Sequence, residues 1–206
     1  MTLVYRAGYL LCKLFGKLAF DFKVYGRENL IEEGAAILAS NHQSYLDPPC
    51  IGMACRNEIY YLARNTLYQR PLIGPLLKRL NTVPVDRDRG DVSSIKAIIR
   101  LLRAGHRVII FPEGTRSTDG KLQPARAGLG MIIAKTLAPV VPIRVFGSFE
   151  ALPRKGGLKL KRVSVVVGKP LRFTEDDLKG DREVYQILSN RVMEKIASLE
   201  LPDGAR

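Results

Sequence analysis

The chain of 206 residues has no tryptophan, three cysteines and two histidines, and each scarcity removes a class of function. Cys12, Cys50 and Cys55 follow no framework spacing, so a disulfide-stapled secreted fold is excluded and a reducing compartment is expected. The gap between Cys50 and Cys55 fits no CxxC pair, and two histidines are too few for a zinc shell. A thiol nucleophile is a weak reading there, and no metal or other cofactor is expected. No GxSxG elbow occurs, which argues against an ordinary serine hydrolase. Long linkers, low-complexity tracts and internal repeats are also missing. The remaining length suits a single domain, 23–206, behind an amino-terminal helical segment, 1–22.

What is abundant is positive charge. With 33 basic against 20 acidic residues the formal net charge is +13, which favours a polyanion, either nucleic acid or an anionic membrane surface. Nucleic acid is disfavoured because the aromatics form no RNP-like array and no recognition-helix pattern is present. At the amino terminus, Arg6, Lys13 and Lys17 fall on one narrow stripe at helical spacing, while Leu3, Val4, Leu10, Leu11, Leu14, Phe15 and Leu18 cover much of the rest. Such a helix suits a bilayer interface. Its cations and glycines interrupt it too often for a membrane span, and the small-residue pattern of a signal cleavage site is missing before Asp21. A helix that merely packs on the domain is the plainer alternative. The basic stretch Arg154–Arg162 alternates cations with leucines and suits either lipid headgroups or a solvated hairpin edge.

Two polar clusters carry the chemistry. In residues 41–49 (NHQSYLDPP), His42 precedes Asp47 by five positions, a spacing that cannot bring the side chains together on one regular helix. Pro48 suits a helix start, with Asp47 as its N-cap, and a preceding turn can then fold His42 back onto the carboxylate. A carboxylate on one ring nitrogen fixes the tautomer and leaves the other free to accept a proton. Downstream, Val108–Phe111 reads as a strand buried on both faces, ended by Pro112. Ligands of open α/β sheets bind at that edge. There Gly114 permits a tight turn carrying Glu113, Thr115, Arg116 and Ser117, with Arg116 offering a planar fork for phosphate. The bland alternative is a loop in which Glu113 and Arg116 pair with each other.

Strand and helix alternate along the rest of the chain. Strands are expected at 35–39, 59–62, 140–145 and 163–167, and helices at 94–102, 128–137 and from Asp181 through Ile196. The fold class is therefore α/β, with a central mixed, largely parallel sheet flanked by helices and an amphipathic amino-terminal helix.

Taken together, these blocks resemble the glycerolipid acyltransferase family of 1-acylglycerol-3-phosphate acyltransferases. The Asn41, His42 and Asp47 block, the Val83–Arg87 stretch, Phe111 to Ser117 and Val141–Ile143 stand in the family's order, with Pro84 replacing a more usual large apolar residue. The resemblance implies transfer of an acyl group from an acyl thioester, of coenzyme A or acyl-carrier protein, to the hydroxyl of a lysophospholipid. It implies His42 as general base, Asp47 as its orienting partner, and Glu113, Gly114, Thr115 and Arg116 as acceptor site, with Arg87 a second phosphate contact. The acceptor expected first is 1-acyl-sn-glycerol-3-phosphate, giving phosphatidic acid; other lysophospholipids, lyso-aminolipids or glycerol-3-phosphate are alternatives. A catalytically silent membrane-binding module is a further alternative, but simple binding needs no base held by a carboxylate. Association with the cytoplasmic face of a membrane is expected.

Overall fold

A computed structural model describes residues 3–71, 73–85, 92–181 and 183–205, so Arg87 lies outside the described residues. Helix α1 (Leu3–Phe20) leads into β1 (Lys23–Tyr25), β2 (Ala36–Ser40) and α2 (Asp47–Ala54). Next come β3 (Tyr61–Arg64), the short helices α3 (Asn65–Tyr68) and α4 (Ile73–Arg79), and β4 (Thr82–Val85). The chain continues through α5 (Val92–Arg103), β5 (Arg107–Ile110), α6 (Gly128–Thr136), β6 (Val140–Phe146), α7 (Ser148–Ala151), β7 (Ser164–Val167) and α8 (Glu183–Ala197).

Five strands form one sheet in the order β1-β7-β6-β2-β5, parallel throughout except where β7 runs against β6. Strands β3 and β4 form a separate parallel pair. Tyr60 joins that pair to the β5 edge: its N–H donates to the Arg107 carbonyl at 2.8 Å and its carbonyl accepts from Ile109 N–H at 3.0 Å. Because successive side chains of a strand point to opposite faces, the apolar runs of β2, β5 and β6 feed two cores at once. Ile37, Val108, Ile110 and Val140 pack with α5, α6 and α8. Leu38, Ile109, Val141 and Ile143 pack with α2 and the end of α1. Burial on both faces explains why these strands read as continuous apolar runs rather than alternating ones.

The helix α1 buries Tyr5, Gly16 and Phe20. A Cβ on Gly16 would stand 3.0 Å from the Met53 side chain, so its absence lets α1 lie close to α2. The opposite face, including Leu11, Leu14, Phe15 and Leu18, stays exposed. Among the described residues no helix is long and apolar enough to cross a membrane. The Arg154–Arg162 stretch is not a hairpin edge: it is irregular and exposed throughout, with no strand inside it. Two glycines, Gly156 with φ of 130° and Gly157, interrupt it where a strand would have to form.

Candidate active site

Strands β2 and β5 are parallel neighbours, so their carboxyl ends deliver residues 41–47 and 111–117 to the same edge of the sheet. The register pairs Ala36 with Arg107, and just beyond the strand ends His42 N–H donates to the Glu113 side chain, Oε1, at 2.9 Å. The His42 carbonyl also accepts from Ser117 N–H at 2.8 Å. Upstream, the Asn41 side chain is buried and bridges to β6, donating to the Val145 carbonyl at 3.0 Å and accepting from Val145 N–H at 2.8 Å. His42 is thus fixed by the backbone on both sides before its ring is considered.

The ring is fixed as well. His42 Nδ1 lies 2.9 Å from Asp47 Oδ2, and the imidazole stacks on Phe111 with centroids 3.9 Å apart and planes 13° apart. Asp47 is fully buried, and the same Oδ2 accepts the N–H groups of Gln43 at 2.6 Å and Ser44 at 2.7 Å. An oxygen that already takes two backbone N–H groups acts as an acceptor, so Nδ1 carries the proton and Nε2 presents its lone pair. No described residue hydrogen-bonds Nε2. His106, the second histidine, precedes β5 at the opposite end of that strand and packs on Tyr60.

The expectation that Asp47 caps the helix from outside needs correction. Asp47 is the first residue of α2 and Leu46 is the cap, because the Leu46 carbonyl accepts the first helical bond, from Cys50 N–H at 3.0 Å. Pro48 and Pro49 fill the first turn, where their missing N–H groups would have had no helical partner. The carboxylate therefore reaches backwards to the Gln43 and Ser44 amides instead of forward into its own helix.

Glu113 and Arg116 do not pair. Glu113 is 2% exposed, and its second oxygen accepts from Gln123 N–H at 3.3 Å. Burial, aided by the nearby Asp47 carboxylate and opposed by the two amides, pushes its carboxyl up to about 7. With both oxygens occupied by backbone, Glu113 ties the two motif loops together. Gly114 takes φ of 69°, and a Cβ there would meet the Arg126 side chain at 2.8 Å. Thr115 and Gly114 are exposed on the rim. Arg116 lies over the Tyr45 ring, its guanidinium carbon 3.6 Å from the centroid, while its Nη1 is buried with no hydrogen-bond partner among the described residues.

Tyr45, Phe111, Arg126 and the Gln43 and Ser44 amides are the parts that sequence reading gave no role. Tyr45 and Arg116 meet because the loops after the neighbouring strands β2 and β5 leave the same sheet edge. Cys50 and Cys55 drop out as nucleophiles. Both lie inside the α2 core, where burial pushes the Cys50 thiol far up and the Cys55 thiol up to about 12.

Residues 21–146 match the acyltransferase family. The 1-acyl-sn-glycerol-3-phosphate acyltransferase of Bacillus subtilis is 33% identical over 91% of this chain and 92% of its own length. The chloroplastic 1-acyl-sn-glycerol-3-phosphate acyltransferase LPAT1 of Arabidopsis thaliana is 31% identical over 86% of this chain, which spans 49% of that longer protein. In three dimensions the chain is similar to the crystal structure of the 1-acyl-sn-glycerophosphate acyltransferase PlsC from Thermotoga maritima. The TM-score is 0.70 with 28% identity, covering 94% of this chain and 81% of the other. The fold, the order of its blocks and these likenesses agree: the chain belongs to the glycerolipid acyltransferase family of 1-acyl-sn-glycerol-3-phosphate acyltransferases.

Proposed function

We propose that the chain is a 1-acyl-sn-glycerol-3-phosphate acyltransferase that moves a fatty acyl group from an acyl thioester to the free hydroxyl of lysophosphatidate, making phosphatidic acid. The observation that carries this reading is the part-buried 2.9 Å contact between His42 Nδ1 and Asp47 Oδ2 on the same sheet edge as Arg116. As the acceptor oxygen attacks the thioester carbonyl, Nε2 takes the hydroxyl proton. The tetrahedral intermediate then expels the thiolate, which leaves as thiol with the proton returned from the imidazolium. Asp47 stabilises the imidazolium while it lasts, and the Phe111 ring keeps the imidazole plane fixed between the steps.

Arg116 supplies the phosphate contact, presented by the Tyr45 face, and Gly114 and Thr115 line the rim beside it. Glu113 acts as a brace that sets the spacing between base and anchor. Arg87 is the second phosphate contact. The donor is acyl-coenzyme A or acyl-carrier protein. The exposed apolar face of α1 lies in the interface of an anionic membrane on its cytoplasmic side, where the lysolipid is presented.

Thiol release with a panel of lysolipids tests the acceptor. Lysophosphatidate is expected to give the highest kcat/KM, and Arg116→Ala to raise its KM about 10- to 100-fold, as for lost hydrogen bonds to a charged group. The thioester KM is expected to change little. Equal use of lysophosphatidylcholine, or equal shifts in both KM values, would contradict a phosphate anchor.

A further inference from the structure

The stretch from Arg154 to Arg162 crosses the surface as an exposed strap that begins beside the catalytic loop and ends beside α1. Midway along it, Lys159 N–H donates back to the Ala151 carbonyl at 2.7 Å, and two residues before the strap the Leu152 carbonyl accepts from Ser44 Oγ at 2.8 Å. Ser44 is the residue whose N–H holds Asp47. At its end, Val163 N–H donates to the Phe20 carbonyl at 2.9 Å and Arg162 Nε reaches Asp21 Oδ2 at 2.8 Å, closing the strap onto the last turn of α1.

Its composition is unusual for a surface connection. Arg154, Lys155, Lys159, Lys161 and Arg162 stand in nine residues without a carboxylate, and Leu158 and Leu160 are 48% and 75% exposed. None of Arg154, Lys155, Lys159 and Lys161 forms an ion pair with a described residue. A strap serving only to connect would gain nothing from holding two leucines in water. Leu11, Leu14, Phe15 and Leu18 of α1, spaced for one helical face, are exposed as well.

We propose that this strap is a second membrane-contact element, in which Leu158 and Leu160 enter the interface of an anionic bilayer and the surrounding cations hold its headgroups. Charge complementarity selects the occupant: a run of cations flanking exposed leucines fits a negatively charged lipid surface rather than an apolar protein groove. With α1 the strap makes two separate footholds. Because the segment leading into it is hydrogen-bonded to the His42 loop through Leu152, the second foothold presents the catalytic edge to the lipid surface. The proposal rests on the acyltransferase reading only for what the docked edge does.

The test uses the full chain with α1 intact and compares wild type with Leu158→Ser/Leu160→Ser and with Lys155→Gln/Lys159→Gln/Lys161→Gln. Binding is read by co-sedimentation with vesicles of phosphatidylcholine alone or mixed equally with phosphatidylglycerol. The leucine variant is expected to bind both vesicle types about tenfold more weakly. The lysine variant is expected to lose about fivefold per cation on the anionic vesicles only. Turnover of a long-chain acceptor embedded in vesicles should fall in parallel, while turnover of a monomeric short-chain acceptor stays at the wild-type level. Wild-type vesicle binding by the leucine variant would overturn the proposal. So would an equal loss on the monomeric acceptor, or a wild-type dimer that the leucine variant converts to monomer. If wild type binds vesicles through these residues yet turns over neither acceptor, the docking stands and the acyltransferase reading fails.

Discussion

Asp47 does two jobs with one oxygen, and two substitutions separate them. Its Oδ2 accepts from Gln43 N–H, Ser44 N–H and His42 Nδ1, and the side chain is fully buried. Asp47→Ala leaves the two amides without an acceptor at about 1–3 kcal/mol each, so about 2–6 kcal/mol of stability is lost. That is a large part of the roughly 5–15 kcal/mol that holds a typical domain together. Asp47→Asn keeps a carbonyl oxygen for both amides but places an NH2 group at the Oδ1 position, which is buried with no partner. The cost there is about 1–3 kcal/mol, and the fold survives. The charge does not, so the imidazolium formed during transfer loses its counter-ion and turnover falls by about 100- to 10,000-fold. Urea unfolding of both variants, with thiol release at saturating donor and acceptor, measures the two effects separately. An Asp47→Asn protein that is folded and turns over within about threefold of wild type would refute the reasoning; a threefold change is only about 0.65 kcal/mol.

Three other outcomes follow from the geometry. The Glu113 carboxyl is raised from an ordinary 4.5 to about 7, so the folded state holds its proton more tightly than the unfolded state. Wild-type stability should therefore fall, relative to Glu113→Gln, as pH rises from about 4.5 to about 7, by about 3 kcal/mol at most; a pH-independent difference in denaturation midpoints would contradict this. Tyr45→Ala removes the face beneath Arg116 and should raise the lysophosphatidate KM about two- to tenfold with kcat unchanged, whereas Tyr45→Phe should match wild type in steady-state kinetics. Gly130 lets α6 cross α8 closely, and a Cβ there would overlap the Tyr185 carbonyl oxygen. Gly130→Ala should therefore destabilise by about 1–3 kcal/mol or more in thermal unfolding, despite the higher helix propensity of alanine.

Much of the fold is legible in the sequence because its central strands are apolar on both faces. Residues 35–39, 108–111, 140–145 and 163–167 predict strands that fall within a residue or two of β2, β5, β6 and β7. The apolar spacing of Ile95, Ile98, Ile99 and Leu102 likewise predicts α5. The element β1 is not legible, since Lys23–Tyr25 is three residues long and half polar and depends on β7 to define it. The short helices α3, α4 and α7 are too brief for periodicity to register. Within the site, the His42 to Asp47 spacing demands a turn, and the structure supplies one. The direction of the carboxylate is different, because it is set by two upstream amides that carry no sequence signal. Tyr45 and Arg116 meet because β2 and β5 are parallel neighbours whose loops leave one sheet edge, a relation between distant segments that local pattern cannot express. Glu113 looks like an exposed site acid in sequence, yet the backbone claims both its oxygens.

His42→Ala removes the Nε2 lone pair that takes the acceptor proton. The ring stacks on Phe111 and is 13% exposed, so its removal is expected to leave the fold intact, as checked by circular dichroism and urea unfolding. Thiol release in the presence of lysophosphatidate should then fall by about 100-fold or more. A folded His42→Ala protein that releases thiol at the wild-type rate would contradict the account.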